Sequence, residues 1–225
     1  MCFSATASFF SGSVLSIAGI AAMQKATTPR QLPFAVIPFI FAIQQFSEGF
    51  VWLSLTNASY KGWLEVSANI FLIFAHVIWP ILIPLSVLLI EKNIRRKNIL
   101  YLLLGVGIML GSFHIFGIIY YSFSAEVDGG HIIYEYNYPS LLVKLSGIFY
   151  GVATVLPLFV STVKKMWVFG LAVTISYLVT SIFYQEYITS VWCYFAAILS
   201  VIIYWILDSI KKISINTLSL KVPQQ

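Results

Sequence analysis

LPFAVIPFIFAIQQFSEGFVWLSL, residues 32–55, is apolar almost throughout and carries a single charge, Glu48, with two amides, Gln44 and Gln45, just ahead of it. A run of this length meets the ~20 residues that an α-helix needs to cross the hydrocarbon of a bilayer. Barrel strands are shorter and alternate polar with apolar positions, a pattern this run lacks. Similar runs recur at roughly 5–24, 64–90, 98–121, 140–161, 166–184 and 188–208. Lipid offers no hydrogen bonds to a backbone, so each run reads as a helix. The expected fold is all-α, a seven-helix transmembrane bundle over residues 1–210, with a short basic tail over 211–225. Pro80 and Pro84 predict a kink or tilt in the third helix.

Composition agrees. The chain is 60% hydrophobic and only 9% charged, with a mean hydropathy of +0.91. Soluble domains carry roughly 25% charged residues. The start, with Cys2 directly after Met1 and no basic segment, is read as a retained first helix rather than a cleaved leader.

The net charge of +5 is distributed as a topology signal. Lys25, Arg30, Lys92, Arg95, Arg96, Lys97, Lys164, Lys165, Lys211, Lys212 and Lys221 fall at alternate ends of the runs. Glu65, Glu126, Asp128, Glu135 and Glu186 fall at the others, where the only basic residues are Lys61 and, at a helix start, Lys144. By the positive-inside rule the N-terminus faces out and the C-terminus faces the cytoplasm. The basic residues are split among short loops, which excludes a nucleic-acid footprint. Trp52, Trp63 and Trp192 are expected in the outer aromatic belt, with Trp79 at depth. The one sizeable loop, SAEVDGGHIIYEYNYPS (124–140), holds a Gly-Gly turn. It reads as a lid or short hairpin over the bundle mouth, or as a solvated loop.

Ionisable side chains inside a membrane are functional candidates, because burying them is expensive. Glu48, His76 and His114 fall at overlapping depths and form the candidate catalytic set. The same three are candidate ligands for a divalent metal such as zinc, although no two of them have the spacing of a helical metal motif. The alternative for Glu48 is a packing hydrogen bond to Gln44 or a tyrosine. For the histidines it is an interhelical hydrogen bond or proton handling. Helical spacing puts Glu65, Asn69, Leu72 and His76 on one face; Gly107, Gly111, His114 and Gly117 on another; Gly170, Thr174, Tyr177, Ser181 and Tyr184 on a third; and Cys193, Ala197, Ser200, Tyr204 and Asp208 on a fourth. Together these predict an outward-opening polar pocket, with Gln44, Gln45, Asn69, Tyr177, Tyr184 and Trp192 as candidate lining. Asp208 is expected to pair with Lys211 or Lys212. His131 is either a lid residue or a surface residue. Cys2 and Cys193 are predicted on the same side, as a disulfide pinning the first helix to the seventh or as two free thiols.

MCFSATASF, QLPFAVIPFIFAIQQFSEGFVW, VIWPILIPLSVLL and SVWCYFAA together resemble an uncharacterised family of bacterial and archaeal integral membrane proteins. The resemblance spans nearly the whole chain and implies a multi-pass prokaryotic membrane protein, without an activity. The layout is also similar to that of microbial rhodopsins, but the seventh helix lacks a Schiff-base lysine. It is similar to the ceramidase and adiponectin-receptor hydrolases as well, yet no histidine follows His131, so their zinc motif is missing. The expected function is a membrane-embedded enzyme acting on a lipidic substrate in the cell membrane. The alternatives are a small-solute, ion or proton transporter and a ligand-binding sensor. Membrane lipid, a small apolar ligand and a second copy of the chain are the expected partners.

Overall fold

The computed structural model describes residues 4–121, 123–136 and 140–219. Seven helical rods run through them. They are α1 (Ala5–Lys25), α2 (Pro29–Thr56), α3 (Ala58–Ile90), α4 (Ile94–Tyr120), α5 (Ser140–Val160), α6 (Met166–Phe183) and α7, whose two halves are Ile188–Leu199 and Ile202–Ser219. Six of the rods are long and apolar enough to cross a membrane, and α5 adds 21 residues with an apolar stretch at Leu145–Val160. The protein is a multi-pass membrane protein. Its exposed residues are largely aliphatic and aromatic, among them Phe10, Ile17, Leu102, Ile119, Ile182 and Phe183. In water such a surface would be an aggregation liability; around a bundle in lipid it is the outer coat.

The third rod is irregular for a local reason. A π-turn occupies Phe74–Ile78, where the Trp79 N–H bonds the Phe74 carbonyl five residues back. In that register the Ala75 carbonyl would be served by residue 80. Residue 80 is a proline, which has no N–H. The Tyr150 hydroxyl on α5 donates to the stranded carbonyl instead, at 2.7 Å. The kink expected from Pro80 and Pro84 thus takes the form of a widened turn one residue before Pro80. On the other side of α3 the backbone of α4 comes very close. A Cβ built on Gly107 would lie 1.8 Å from the Pro80 carbonyl oxygen. Only glycine fits there.

α7 breaks at Ser200. The N–H groups of Ser200, Val201, Ile203 and Tyr204 each bond the carbonyl three residues back, and the Ser200 hydroxyl donates to the Ala197 carbonyl. Such tightened bonding, with a serine bonding back to its own helix, bends a rod.

The loop after α4 is a hairpin. β1 (Phe123–Asp128) pairs antiparallel with β2 (His131–Tyr136) across Gly129 and Gly130. Both glycines have positive φ, 54° and 81°, as a two-residue hairpin turn requires. The hairpin packs down on the bundle. Ile132 is fully buried against a cluster with Val51, Trp52 and Ala68, and the Tyr134 ring stacks on Phe71 at 4.9 Å. His131 lies between Tyr184 and Tyr187, and burial holds its imidazole below the ordinary value. Tyr187 donates to Asp128 at 2.7 Å. Residues 123–136 are therefore a hairpin packed on the bundle rather than a solvated loop, and His131 is buried within it.

The opposite end is tied by charge. Glu91 accepts from the N–H groups of Lys92, Asn93 and Thr162 and from the Thr162 hydroxyl, joining the α3–α4 turn to the α5–α6 turn. Burial pushes the Glu91 carboxyl up, but these hydrogen bonds outweigh it and leave the group below the usual carboxylate range. Arg96 donates to the carbonyls of Val160 and Ser161 at the end of α5. Asp208 pairs with Lys212, as expected, and also with Lys25 on α1, both at 2.8 Å.

Gly107→Ala is expected to force α3 and α4 apart and to destabilise the protein by about 1–3 kcal/mol. Gly105→Ala, whose added Cβ meets nothing within 4 Å, is expected to be neutral or slightly stabilising. Thermal unfolding of both variants in detergent checks this; equal effects would contradict the close crossing.

Candidate functional site

Glu48 lies on α2 at 0% exposure, as do Gln44 and Gln45. Its two carboxyl oxygens are both engaged. The Ser190 hydroxyl of α7 donates to one at 2.5 Å, and the Gln45 amide donates to the other at 3.3 Å. The Gln45 carbonyl in turn accepts from Ser11 of α1 at 3.1 Å. One polar chain, Ser11–Gln45–Glu48–Ser190, thus joins three helices across the interior. Gln44 starts a second branch, in which its carbonyl oxygen accepts from the Trp79 indole of α3 at 2.7 Å.

Next to this network is a partly open cavity of about 40 Å³. Phe41, Trp79, Ile83, Tyr150, Leu158, Phe169, Val173 and Trp192 make most of its wall, with Thr154 and Cys193 as the other contributors. Phe41 and Trp79 stack face to face at 3.8 Å. Trp192 meets Tyr150 at 5.4 Å and Tyr177 at 5.2 Å, both edge-on. Cys193 is a buried free thiol one helical turn beyond Ser190 on α7. It is therefore the joint between the apolar cavity and the carboxylate network. Its expected partner, Cys2, lies outside the described residues.

The polar supply of the cavity does not balance. Thr154 donates to the Tyr150 carbonyl, Tyr150 to the Ala75 carbonyl, and Trp79 to Gln44. Two buried nitrogens, Nε1 of Trp192 and Nε2 of Gln44, have no hydrogen-bond acceptor among the described residues. A buried donor left without an acceptor costs about 1–3 kcal/mol.

The structure redistributes the residues singled out in the sequence. His76 and His114 come together, ring over ring at 4.8 Å, and Tyr150 touches His76 from the side at 6.4 Å. Glu48 does not join them. Among the described residues no three His, Cys, Asp or Glu side chains are grouped so as to hold a metal ion. Glu48 is bound instead to Ser190 and Gln45, because α2 turns that face toward α1 and α7. Trp192 lines the cavity with Tyr177 packed on it, and Gln44 is outside the lining, bound to the indole of Trp79. Gln45 belongs to the network leading to Ser11. Tyr184 packs on His131 under the hairpin, and Asn69 is half-buried on α3, away from the cavity wall. Trp52 and Trp192 are buried, Trp52 against the hairpin and Trp192 in the cavity wall. The face drawn on α6 is rotated: the buried residues are Met166, Phe169, Gly170, Val173, Ser176 and Thr180, and of the expected set only Gly170 is among them. The expected α4 face of Gly107, Gly111, His114 and Gly117 is the buried one. Sequence reasoning passed over Ser190, Ser11, Phe41 and Tyr150. Ser190 was detectable in principle, since it stands one helical turn before Cys193. Ser11 and Tyr150 carried no signal distinguishing them from neighbouring serines and tyrosines.

The chain belongs to a family of unknown function, DUF6629, whose model matches residues 1–216. Comparison with curated proteins and with solved structures finds no match.

Proposed function

We propose that the protein binds a narrow apolar ligand, an acyl chain or a molecule of similar girth, inside the bilayer between α2, α3, α5, α6 and α7. The observation that carries this reading is the aromatic-lined cavity, to whose wall Cys193 contributes one helical turn from Ser190 and the buried Glu48 network. Pockets for small molecules are mostly apolar with a few placed polar groups, and they often lie between the helices of bundles. The size argues for a slender ligand. A site of ~10–15 Å³ on this kind of measure already holds a water, and about 40 Å³ leaves no room for a bulky head group.

A second reading, catalysis on the bound lipid, is favoured by one contact. Ser190 donates to Glu48 at 2.5 Å, the relation of a nucleophile to its base. On that reading Glu48 is the base and Ser190 the nucleophile, while His76 and His114 stand apart. Filling the cavity tests both. Val173→Trp is expected to abolish binding of a brominated acyl chain, read by quenching of tryptophan fluorescence, while the protein keeps its elution profile in detergent. Unchanged quenching in that variant would refute the site. Turnover of an acyl ester by wild type and not by Ser190→Ala would establish the catalytic reading; no turnover removes it.

We also propose that the basic end is cytoplasmic, with the N-terminus and the hairpin outside, in the cell membrane. Lys25, Lys92, Arg96, Lys165 and Lys212 support this, since contacts tie their turns into one end of the bundle. A cysteine placed at Gly130 is expected to react with an impermeant maleimide on intact cells. Reaction only after lysis reverses the orientation.

A further inference from the structure

We propose that a surface site on the second half of α7, where Lys25, Lys165 and Lys212 gather around Asp208 beside Trp205 and Tyr204, holds the headgroup of an anionic phospholipid. None of these residues lines the interior cavity, so the site does not depend on that cavity having a ligand.

Three ammonium groups converge on two consecutive residues of α7. Lys25 of α1 and Lys212 each stand 2.8 Å from the Asp208 carboxylate. Lys165, from the turn between α5 and α6, donates to the hydroxyl of Ser209 at 2.5 Å. Two of the three also stand over rings. Lys165 is 3.5 Å from the centre of the Trp205 ring, and Lys25 is 5.0 Å from that of Tyr204. Among the described residues no second carboxylate pairs with any of the three. Glu91, the other carboxylate of this end, is taken up by donors at Lys92, Asn93 and Thr162. One carboxylate therefore serves three cations, and two positive charges are left over at one spot. Like charges held close repel, and an anion set among them removes the repulsion. The Lys212 side chain is 75% exposed and open to such an anion.

The surroundings favour an anion carried by a lipid. Trp205 is 46% exposed and Tyr204 37%, and Trp and Tyr collect at the headgroup level of a bilayer. At helical spacing from Trp205, Val201 and Ile198 are exposed too. They continue its line away from the basic end, into the hydrocarbon, where an acyl chain lies along them. A free phosphate or an acidic peptide would use the lysines and leave this apolar line uncovered. Charge then selects among lipids. A phosphatidylcholine headgroup brings its own cation with its phosphate and leaves the surplus unbalanced. Phosphatidylglycerol brings a net negative charge. Each lysine near an anionic leaflet strengthens attachment about fivefold.

Full-length protein in detergent, titrated with dioleoyl phosphatidylglycerol and separately with dioleoyl phosphatidylcholine and read by native mass spectrometry, tests this. Wild type is expected to prefer phosphatidylglycerol by roughly tenfold or more. Lys165→Gln combined with Lys212→Gln is expected to bring the two lipids toward parity, with phosphatidylcholine affinity as in wild type. Lys212→Gln alone alters an exposed side chain, leaves the fold intact and is expected to lower the preference roughly two- to fivefold. Lys92→Gln combined with Arg95→Gln takes the same charge from the α3–α4 turn and is expected to leave the preference in place. Equal affinity of wild type for the two lipids would overturn the assignment. An equal loss of preference in the α3–α4 variant would overturn it too, since the basic end as a whole would then be acting. Release of the bound lipid by millimolar inorganic phosphate would assign the lysines to a free anion and contradict the lipid reading.

Discussion

A carboxyl with no exposure, inside a bundle coated by lipid, is tolerable only if its oxygens are hydrogen-bonded. Glu48 meets that condition through Ser190 and Gln45, and Gln45 passes the constraint on to Ser11. The first two helices and the last are thereby held in one rotational setting. The setting of α2 also points Gln44 at Trp79 and stacks Phe41 on the same ring. The cavity wall is a consequence of where that one polar group has to sit. In lipid, where apolar contact between helices gives little drive to associate, small residues and interhelical hydrogen bonds do the fixing.

The second constraint is the proline at position 80. It forces the π-turn, the π-turn strands the Ala75 carbonyl, and Tyr150 is drawn in to serve it. That places the Tyr150 ring between His76 and Trp192 and makes it part of the cavity wall. The same stretch of backbone sets how closely α4 can approach, which is why residue 107 is glycine. At the opposite end from the hairpin, Glu91 ties two turns together and Asp208 ties α7 to the end of α1.

Much of the fold was legible because hydropathy in a membrane protein is a length measurement. All seven runs became rods, the first six with ends shifted by a few residues and the last continuing as helix to Ser219, into the stretch read as a tail, and the Gly-Gly turn gave its hairpin. The α4 face was readable from its glycines, since close backbone crossings demand them. The α6 face was misread because polar side chains such as Thr174 and Ser181 can bond their own helix: Thr174 donates to Gly170 and Ser181 to Leu178, so neither needs to face inward. The candidate site was half legible. Glu48 and Gln45 share one hydrogen-bonded chain, Gln44 bonds the cavity-wall Trp79, and Trp192 and Cys193 line the cavity. Glu48 was separated from the histidines because depth along the membrane says nothing about the angle around the bundle axis. That angle was set by Pro80 and Ser190, whose effects are tertiary.

The central claim is that Glu48 and Ser190 are directly coupled in the interior. A double-mutant cycle on Glu48→Leu and Ser190→Ala, with unfolding free energies measured in a denaturing detergent series, tests it most directly. The account predicts a coupling of about 1–2 kcal/mol, toward the upper range found for hydrogen bonds between membrane helices. Strictly additive effects of the two substitutions would contradict it.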